Sequence, residues 1–391
     1  MRSTSTSPRD VVIVSTARTA IGRGKRPSGA YSEVHPSHLL AHVYGAALER
    51  AGVQPAQVDE VITGAVTQFG EQSNNLGRLA WLEAGYPVEV PATTIDLQCG
   101  SSQQAVHLAA AQIKAGLHDV VVAAGVEHMG RVPMGSNVPS DLSSLPYTPE
   151  LLDRYALTPQ GLSAELIAER WGLTREELDA FGVRSQGLAA AAADAGVFDR
   201  EIAPYVVDGV PVTRDQGIRP GTTLDVLAGL KPAFKPEGVI TAATSSQLSD
   251  GAAAVVLASR EAAERLGLPI HAEIVDQLVV GVDPVIMLTG PIPATQGILE
   301  RNGLVIGDVD RVEINEAFAP VVLSWGRELD PDWDRVNVNG GALALGHPLG
   351  SSGARLITTL VHELERSDTE LGLSTMCTAG GLGTATLIRR V

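Results

Sequence analysis

Short runs rich in β-branched residues alternate with Ala- and Leu-rich stretches of helical length over the first 125 residues of the chain. The strand-like runs cover residues 11–15, 61–65 and 120–125, and the helix-like stretches cover residues 37–51 and 101–115. This alternation is typical of α/β proteins, in which helices pack against a sheet. A chain of 391 residues is long enough for two or three structural units of about 150 residues each.

The middle of the chain, from about residue 127 to 248, has a different character. It combines loops rich in Pro, Ser and Gly with two predicted helices, at residues 163–171 and 175–195. The alternating pattern resumes with the apolar run at residues 250–257. Further predicted helices follow at residues 260–266, 293–302 and 317–328. We therefore expect an insertion that covers one face of an α/β core.

One internal echo indicates how the core is organised. The sequence Gly100-Ser101-Ser102 opens one predicted helix, and Gly350-Ser351-Ser352 opens another 250 positions later. An apolar strand candidate follows each helix. This similarity favours two related α/β halves, each presenting a helix N-terminus towards a shared centre.

Composition excludes several classes of protein. Only two cysteines, Cys99 and Cys377, occur in the chain, which argues against a disulfide scaffold and favours a reducing compartment, so we expect a cytoplasmic protein. The balance of 29 Lys and Arg against 45 Asp and Glu gives a net charge of −16, which disfavours nonspecific nucleic-acid binding. No apolar run approaches the length of a membrane span, and the polar N-terminus indicates no signal peptide.

Cys99 lies in the turn of a predicted strand, turn and helix segment. Ser101 or Ser102 is expected to cap that helix. A thiol just before a helix N-terminus is expected to have a lowered pKa, which favours the nucleophilic thiolate. The alternative is a small buried cysteine that only fills the core.

Three other loops each carry one further polar group. His347 lies in the small-residue loop 336–350, without metal-ligand spacing around it. Cys377 lies on a Gly-rich turn after a predicted strand, and Asn315 lies at the mouth of a predicted helix. An imidazole beside a thiol can activate it, and the free N–H groups of a Gly-rich turn can bind an oxyanion. We expect Cys99 and these three groups to form one site.

Other candidate sites are weaker. His35, His38 and His42 have helical spacing, but no carboxylate or cysteine nearby completes a zinc site. A phosphate-binding P-loop motif is absent, and the glycines of residues 380–383 are not followed by a βαβ unit. We therefore expect no metal site, and neither a nucleotide hydrolase nor a dinucleotide-dependent oxidoreductase.

Four blocks of this sequence, residues 96–105, 315–319, 339–353 and 377–383, resemble the thiolase family, the acetyl-CoA C-acyltransferases. The stretches Asn-Glu-Ala-Phe-Ala and Gly-His-Pro-Leu-Gly-Ser-Ser-Gly-Ala-Arg are the most specific of these. The resemblance implies an α/β thiolase fold, with two similar βαβαβαββ halves in five α/β/α/β/α layers and an inserted loop domain. The expected organisation is an N-terminal half formed by residues 1–126 and 249–270, an inserted CoA-binding domain of residues 127–248, and a C-terminal half of residues 271–391.

The resemblance also implies roles for the four side chains. Cys99 would be the nucleophile that carries the acyl group, and His347 would activate it. The ring N–H of His347 and a water held by Asn315 would bind the thioester oxygen, and Cys377 would be the acid and base at carbon. Backbone N–H groups of Cys99 and Ala379 would form a second oxyanion hole. Many members have glycine where Ala379 stands, so we expect this hole to survive if the φ of Ala379 is negative.

Coenzyme A would bind to the inserted domain as a substrate, with no permanently bound cofactor. Residues 211–237 hold a local basic cluster, whose alternative interpretation is an ordinary solvated loop. The cluster comprises Arg214, Arg219, Lys231 and Lys235. The expected CoA contacts are Arg219, Ser246, Lys231, Phe234 and Phe318. The resemblance makes Arg219 the best basic candidate and matches Ser246 to a residue that contacts the pantetheine arm.

The expected reaction is reversible, CoA-dependent cleavage of 3-ketoacyl-CoA to acetyl-CoA and a shortened acyl-CoA. Pro159-Gln160 stands where short-chain thiolases often carry His-Met, which favours a degradative β-oxidation enzyme, for bulkier acyl chains. The alternatives are a biosynthetic thiolase that forms acetoacetyl-CoA and a non-catalytic acyl-CoA-binding protein. Family members assemble as homodimers or homotetramers, and both remain open here.

Overall fold

The computed structural model describes residues 7–138 and 145–391. Its strands are β1 (Val11–Arg18), β2 (Gly22–Arg23), β3 (Glu60–Gly64), β4 (Ala92–Ile95), β5 (Val120–His128), β6 (Tyr205–Val207), β7 (Val210–Val212), β8 (Ser249–Ser259), β9 (Ala272–Gly281), β10 (Arg311–Ile314), β11 (Leu371–Thr378) and β12 (Leu382–Arg390). Its helices are α1 (Pro36–Ala51), α2 (Leu76–Glu83), α3 (Ser101–Lys114), α4 (Pro149–Arg154), α5 (Gln160–Arg170), α6 (Arg175–Asp194), α7 (Leu224–Ala228), α8 (Arg260–Leu266), α9 (Pro291–Asn302), α10 (Ala319–Leu329), α11 (Ala342–Leu345) and α12 (Ser352–Arg366). A short 3-10 turn, Leu349–Ser351, leads directly into α12.

Each half of the chain contributes one mixed sheet with the same strand order. In the first half the order is β4-β3-β5-β8-β1, and in the second it is β10-β11-β12-β9. The first half pairs β3 in parallel with β4 and β5, and the second half pairs β10 in parallel with β11. An isolated parallel bridge between Val312 and Val336 stands where β4 stands in the first half. Both halves therefore follow the predicted βαβαβαββ order.

The two sheets meet at a short junction. Strand β1 pairs with β9 only at Val12 with Glu273 and Ile13 with Ala272, which joins both sheets into one hydrogen-bonded set of ten strands among the described residues. The pairing of β1 with β8 also shifts register between Ile13 and Ser15. Beyond this junction the sheets separate and face each other across a helical layer.

Helices α3 and α12 form that central layer. One cluster of buried apolar side chains joins them to both sheets. Its members include Ile13, Val121, Leu257, Ala109, Ile113, Ile357, Leu360, Ile274 and Ile388. Helices α1 and α2 cover the outer face of the first sheet, and α9 and α10 cover that of the second. The predicted five-layer α/β thiolase fold is confirmed.

Several predicted boundaries move in the structure. The predicted helices at 163–171 and 175–195 correspond to α5 and α6, which begin at Gln160 and Arg175. The helix predicted from residue 317 begins at Ala319, because Phe318 has extended backbone (φ −146°, ψ 145°) and bridges to Ser245. The inserted segment lies between the end of β5 at His128 and the start of β8; the division into domains stays a prediction. None of the described helices is long and apolar enough to cross a membrane.

The N-termini of α3 and α12 abut at the centre of the molecule. The Ser102 hydroxyl accepts a hydrogen bond from the Ala354 N–H (2.9 Å) at the start of α12. A Cβ added at Gly353 would lie 2.4 Å from the backbone nitrogen of Gln103, and one at Gly125 would lie 2.1 Å from the carbonyl oxygen of Gly350. Only glycine permits such close backbone approach at these positions.

Replacing one of these glycines is expected to destabilise the protein. Gly125→Ala would force backbone atoms apart, at a cost of about 1–3 kcal/mol in unfolding free energy. Gly187→Ala is the matched control, because Gly187 lies on α6 with no atom within 4 Å of an added Cβ. That substitution should stabilise the helix by about 0.5–1 kcal/mol. Urea unfolding of both variants measures the difference, and equal effects would contradict the close approach.

Candidate functional site

Cys99 lies in the tight loop that joins β4 to α3. The loop is held by Ser101, whose hydroxyl accepts a hydrogen bond from the Leu97 N–H (2.9 Å) and donates one to the Gln98 carbonyl (2.5 Å). Gln98 has a positive φ of 51°, which gives the turn its shape. The prediction that Ser101 or Ser102 caps α3 is wrong. The Ser101 hydroxyl forms its hydrogen bonds within this loop, and the Ser102 hydroxyl caps α12 instead.

The Cys99 side chain is buried, with 4% of its surface exposed. It packs in a small apolar cluster that includes Met129, Leu349 and Met376. Burial raises the pKa of the Cys99 thiol to about 12, although a hydrogen bond from the Ala379 N–H opposes this shift. The expectation of a lowered pKa is therefore wrong: loss of solvent outweighs the helix terminus, and Cys99 rests as a thiol.

Cys377 lies near the end of β11, directly across the sheet from Gly383. It is completely buried, and burial raises its thiol pKa. A negative charge on Cys99 would raise that pKa further. Ala379 follows on the turn and is not among the residues with a positive φ, whereas Gly380 and Gly381 are, at 81° and 79°. Ala379 therefore meets the condition of a negative φ under which its N–H is expected to serve the oxyanion hole.

His347 is fixed by hydrogen bonds at both ring nitrogens. Its Nδ1 lies 2.6 Å from the Ser352 hydroxyl, which in turn donates to the Pro348 carbonyl (2.9 Å). Because that hydroxyl proton is used, Nδ1 must carry the ring proton. Nε2 then accepts from the side-chain amide of Asn315, at 3.3 Å. Burial lowers the pKa of His347 to about 3, so the ring is neutral with a lone pair on Nε2.

Asn315 follows β10, and its backbone N–H donates to the Thr375 carbonyl (3.0 Å). Its side chain is completely buried, and among the described residues its Oδ1 has no hydrogen-bond partner. A buried amide oxygen left without a partner is costly. This free acceptor beside His347 fits the predicted role of holding a water molecule.

Two residues that position the site were not predicted. Glu127, buried on β5, accepts hydrogen bonds from the N–H groups of Val66 (3.0 Å) and Gly350 (2.9 Å) and so ties together loops from the two halves. Burial raises the pKa of Glu127 against these donors. The Ser249 hydroxyl accepts from the His347 backbone N–H (3.1 Å). An acid inside the apolar run of β5 is the signal that sequence reasoning overlooked.

The predicted CoA contacts lie on the inserted segment, except Phe318, which directly precedes α10. The Ser246 N–H donates to the Ala317 carbonyl (2.9 Å), and the rings of Phe234 and Phe318 stack edge to face with 5.7 Å between centroids. Arg219 is exposed and donates to the side chain of Gln247 at 3.2 Å. These contacts bring Arg219, Ser246, Phe234 and Phe318 to neighbouring positions.

Two members of the basic cluster lie apart from this group. Lys231 is exposed on the loop after α7. Arg214 forms an ion pair with Asp194 (2.8 Å). Neither residue is joined to Ser246 by a contact that the structure describes.

The three histidines on α1 and at its start have separate partners. The Nδ1 of His35 lies 2.7 Å from the Ser37 hydroxyl, His38 lies 2.6 Å from Glu83, and His42 lies 3.2 Å from the Ala203 carbonyl. Within residues 7–138 and 145–391, no group of three or more His, Cys, Asp and Glu side chains is arranged to hold a metal ion.

Family models match nearly the whole chain. The model described as "Thiolase, N-terminal domain" matches residues 11–261, and that described as "Thiolase, C-terminal domain" matches residues 268–390.

Individual proteins match the chain at similar length. A steroid 3-ketoacyl-CoA thiolase of Mycobacterium tuberculosis is 44% identical over 98% of this chain and 94% of its own. A 3-ketoacyl-CoA thiolase of Saccharophagus degradans is 45% identical over 99% of this chain and 100% of its own. The crystal structure of the Bacillus anthracis acetyl-CoA acetyltransferase superimposes with a TM-score of 0.89 and 40% identity, over 98% of this chain and 99% of that one.

The His347 ring is expected to stay neutral, protonated on Nδ1, from about pH 8 to about pH 5, because burial holds its pKa near 3. Proton–nitrogen correlation NMR of histidine-labelled protein reports both charge and tautomer. Ser352→Ala should weaken the preference for Nδ1–H, since the partner at 2.6 Å is lost.

The control is the same sample unfolded in urea, where histidine titrates near its ordinary pKa of about 6.5. Since the unfolded chain binds a proton that folded His347 does not, the contribution of His347 to stability falls as the pH drops below about 6.5. Protonation of folded His347 near this value would contradict the assignment.

Proposed function

Because the chain belongs to the thiolase family, we propose that Cys99 is the nucleophile with which it cleaves 3-ketoacyl-CoA to acetyl-CoA and a shortened acyl-CoA. The protein is an acyl-CoA C-acyltransferase, and the non-catalytic alternative is set aside. One observation carries the assignment of residues: both thiols are buried, at 4% and 0% exposure. The Ala379 N–H would favour a thiolate at Cys99, and a charge on Cys99 would raise the pKa of Cys377. The neutral pair of His347 and Asn315 supplies the base that such a thiol needs.

Acylation starts from a neutral thiol and a neutral imidazole. His347 Nε2 gives up the hydrogen bond from Asn315 and takes the Cys99 proton as the sulfur attacks the ketone carbon, C3, of the substrate. This order fits the electrostatics, since burial raises the pKa of Cys99 and lowers that of His347, so that no ion pair forms before attack. The proton on Nδ1 of His347 stays hydrogen-bonded to the Ser352 hydroxyl throughout.

Cleavage of the C2–C3 bond leaves the acyl group on Cys99 and an enolate on the departing acetyl-CoA. The Cys377 thiol gives its proton to the enolate carbon, and acetyl-CoA is released. Its raised pKa keeps Cys377 protonated until then, as a carbon acid step requires. The negative charge passes to the Cys377 sulfur.

Coenzyme A completes the cycle. The CoA thiol gives its proton to Cys377, which restores the Cys377 thiol. The CoA sulfur attacks the thioester carbonyl of the acyl-enzyme. As the shortened acyl-CoA forms, Cys99 leaves and recovers its proton from His347. Proton and charge balance over both half-reactions.

Two sets of donors stabilise the oxyanions. The backbone N–H groups of Cys99 and Ala379 lie at the Cys99 sulfur and are placed to bind one of them. For the other, the protonated Nε2 of His347 and a water on Asn315 Oδ1 are the donors. The free acceptor on Asn315 supports this role.

CoA is proposed to lie along Arg219, Ser246, Lys231, Phe234 and Phe318, as a substrate and not a resident cofactor. Arg219 and Lys231 would contact its phosphates. The half-exposed ring of Phe234 would pack against the pantetheine arm together with Phe318.

A degradative role for bulky acyl chains is supported by the inserted segment. Met129 packs near Cys99, and the segment that follows it exposes apolar side chains. These are Met134, Val138, Tyr147, Leu151, Leu152 and Tyr155. The relatives named 3-ketoacyl-CoA thiolase support a degradative role. The acetyl-CoA acetyltransferase neighbour keeps synthesis of acetoacetyl-CoA as a second candidate function.

The protein is further proposed to be a cytoplasmic homodimer or homotetramer. Two free thiols fit a reducing compartment. Among the described residues the outer edge of β4 pairs with no strand, and exposed apolar side chains lie on α2 and beside it. These are Phe69, Leu79, Leu82 and Val88.

Substituting each cysteine separates the two steps. Cys99→Ser should abolish the burst of free CoA on mixing with acetyl-CoA, because a buried hydroxyl is a far weaker nucleophile. Cys377→Ser should keep a measurable burst, because the CoA thiolate is a good leaving group even without a proton from Cys377. It should slow α-proton exchange of acetyl-CoA by about 10²–10⁴-fold, the usual share of general acid–base catalysis. Met129→Leu, in the same cluster, is the packing control. Equal loss of both steps in Cys377→Ser would indicate a structural role.

Substrate direction is tested by thiolysis of acetoacetyl-CoA and of medium-chain, long-chain and ring-bearing 3-ketoacyl-CoAs. We expect kcat/KM to be higher for the larger substrates, because the exposed apolar surface of the inserted segment would bury their chains. Leu152→Ser, which removes apolar surface, should lower kcat/KM for the large substrates only. A preference for acetoacetyl-CoA in the parent enzyme would support the biosynthetic alternative instead.

A further inference from the structure

A cavity opens where the two sheets separate. Strands β1 and β9 pair only at Val12 and Ile13, and beyond this point side chains from β1, α1 and α12 line a space of about 310 Å³. A second cavity of about 380 Å³ continues from it along α12, and the two share Arg200 and His362. His362 lies ten residues after Ser352, or about 15 Å along the helix, so this space is separate from the catalytic site.

Arg50 supplies a fixed positive charge to the cavity. Its guanidinium donates to the carbonyls of Thr16 (2.9 Å), Glu201 (3.1 Å) and Ile202 (2.9 Å). These neutral partners orient the group without cancelling its charge. Within the described part of the chain, no carboxylate forms an ion pair with Arg50, so its charge remains available to a ligand.

Arg200 and His271 share one carboxylate. His271 and Arg200 each contact one oxygen of Glu365, His271 at 2.5 Å and Arg200 at 2.9 Å. Asp199 is the remaining acid at the wall of the 310 Å³ cavity, and it is exposed to solvent. Glu365 is therefore already bound on both oxygens. The adjoining cavity adds two acids, Glu201 and Glu363. Glu201 is paired with Arg18, and Glu363 is paired with Arg311 and Arg366.

Three buried polar atoms in the cavities have no hydrogen-bond partner within the described residues. They are the Ser15 hydroxyl, the Thr359 hydroxyl and Nδ1 of His362. The Ser15 and Thr359 side chains are only 1% and 2% exposed. Buried polar groups are normally paired, and the residues that carry these three atoms form part of the cavity walls.

We propose that this cavity binds a small oxyanion, the phosphate or carboxylate group of a metabolite. Arg50 and Arg200 would hold the anion, and Ser15 would donate a hydrogen bond to it. Neutral His362 would add a second hydrogen bond. The remainder of the ligand would extend past Thr359 into the adjoining cavity. A ligand held there would contact β1, α12 and His271, which directly precedes β9, and so brace both halves of the protein.

The experiment uses the intact protein with saturating CoA, so that the CoA site is already filled. Inorganic phosphate and citrate are titrated separately while the unfolding temperature is followed, with KCl at matched ionic strength as the reference. We expect a saturable rise with at least one of the two anions. The tighter of the two identifies the ligand as phosphoryl or polycarboxylate in character.

Variants locate the binding. Arg200→Gln should weaken anion binding about tenfold, as loss of one charge-assisted hydrogen bond predicts, and Ser15→Ala should weaken it by less. Arg154→Gln removes an exposed arginine on α4 and is the matched control. The anion-induced shift, not the starting stability, is compared, so a loss of stability in Arg200→Gln does not obscure the result. Equal shifts in Arg200→Gln and Arg154→Gln, an equal shift with KCl, or no saturable shift would overturn the proposal.

Discussion

The contact between the N-termini of α3 and α12 determines the rest of this structure. Ser102 caps α12 from the neighbouring helix, and Gly353 lies against the backbone of Gln103 with no room for a side chain. Cys99 lies two residues before α3 and His347 lies five residues before α12. Bringing the helices end to end therefore places Cys99 in one apolar cluster with Leu349, two residues after His347.

Burial sets the chemistry of the resulting site. A helix N-terminus favours an anion by up to about 2 kcal/mol, which by itself would give a reactive thiolate at Cys99. The thiol is almost fully enclosed, however, and loss of solvent raises its pKa to about 12 and lowers that of His347 to about 3. Desolvation therefore has a larger effect on the pKa of Cys99 than the helix N-terminus has. Cys99 and His347 both stay neutral until a substrate binds and protons move.

Much of the fold follows from local patterns: the alternation and the four loop motifs identify the architecture. They also predict the four side chains proposed for the site. The supporting contacts depend on residues far apart in sequence. Glu127 contacts Gly350, which lies 223 residues further along the chain. No local pattern indicates that an acid on a buried strand will find such partners. The Ser352 contact to His347 is closer in sequence, but its recognition requires the loop geometry.

The two halves differ where the site is built, and this difference explains how a repeat acquires one active centre. Cys99 and His347 occupy the same place in the two halves, the loop between the third strand and the third helix. Glu127 and Cys377 also correspond, since each lies one residue before the end of its strand and opposite a glycine, Gly251 or Gly383. In the second half, only the Val336 bridge stands in the place of the third strand. The loop after it is therefore longer, and it contains His347. The first half keeps β4 and the short Cys99 loop, and uses Glu127 to hold the loops in place.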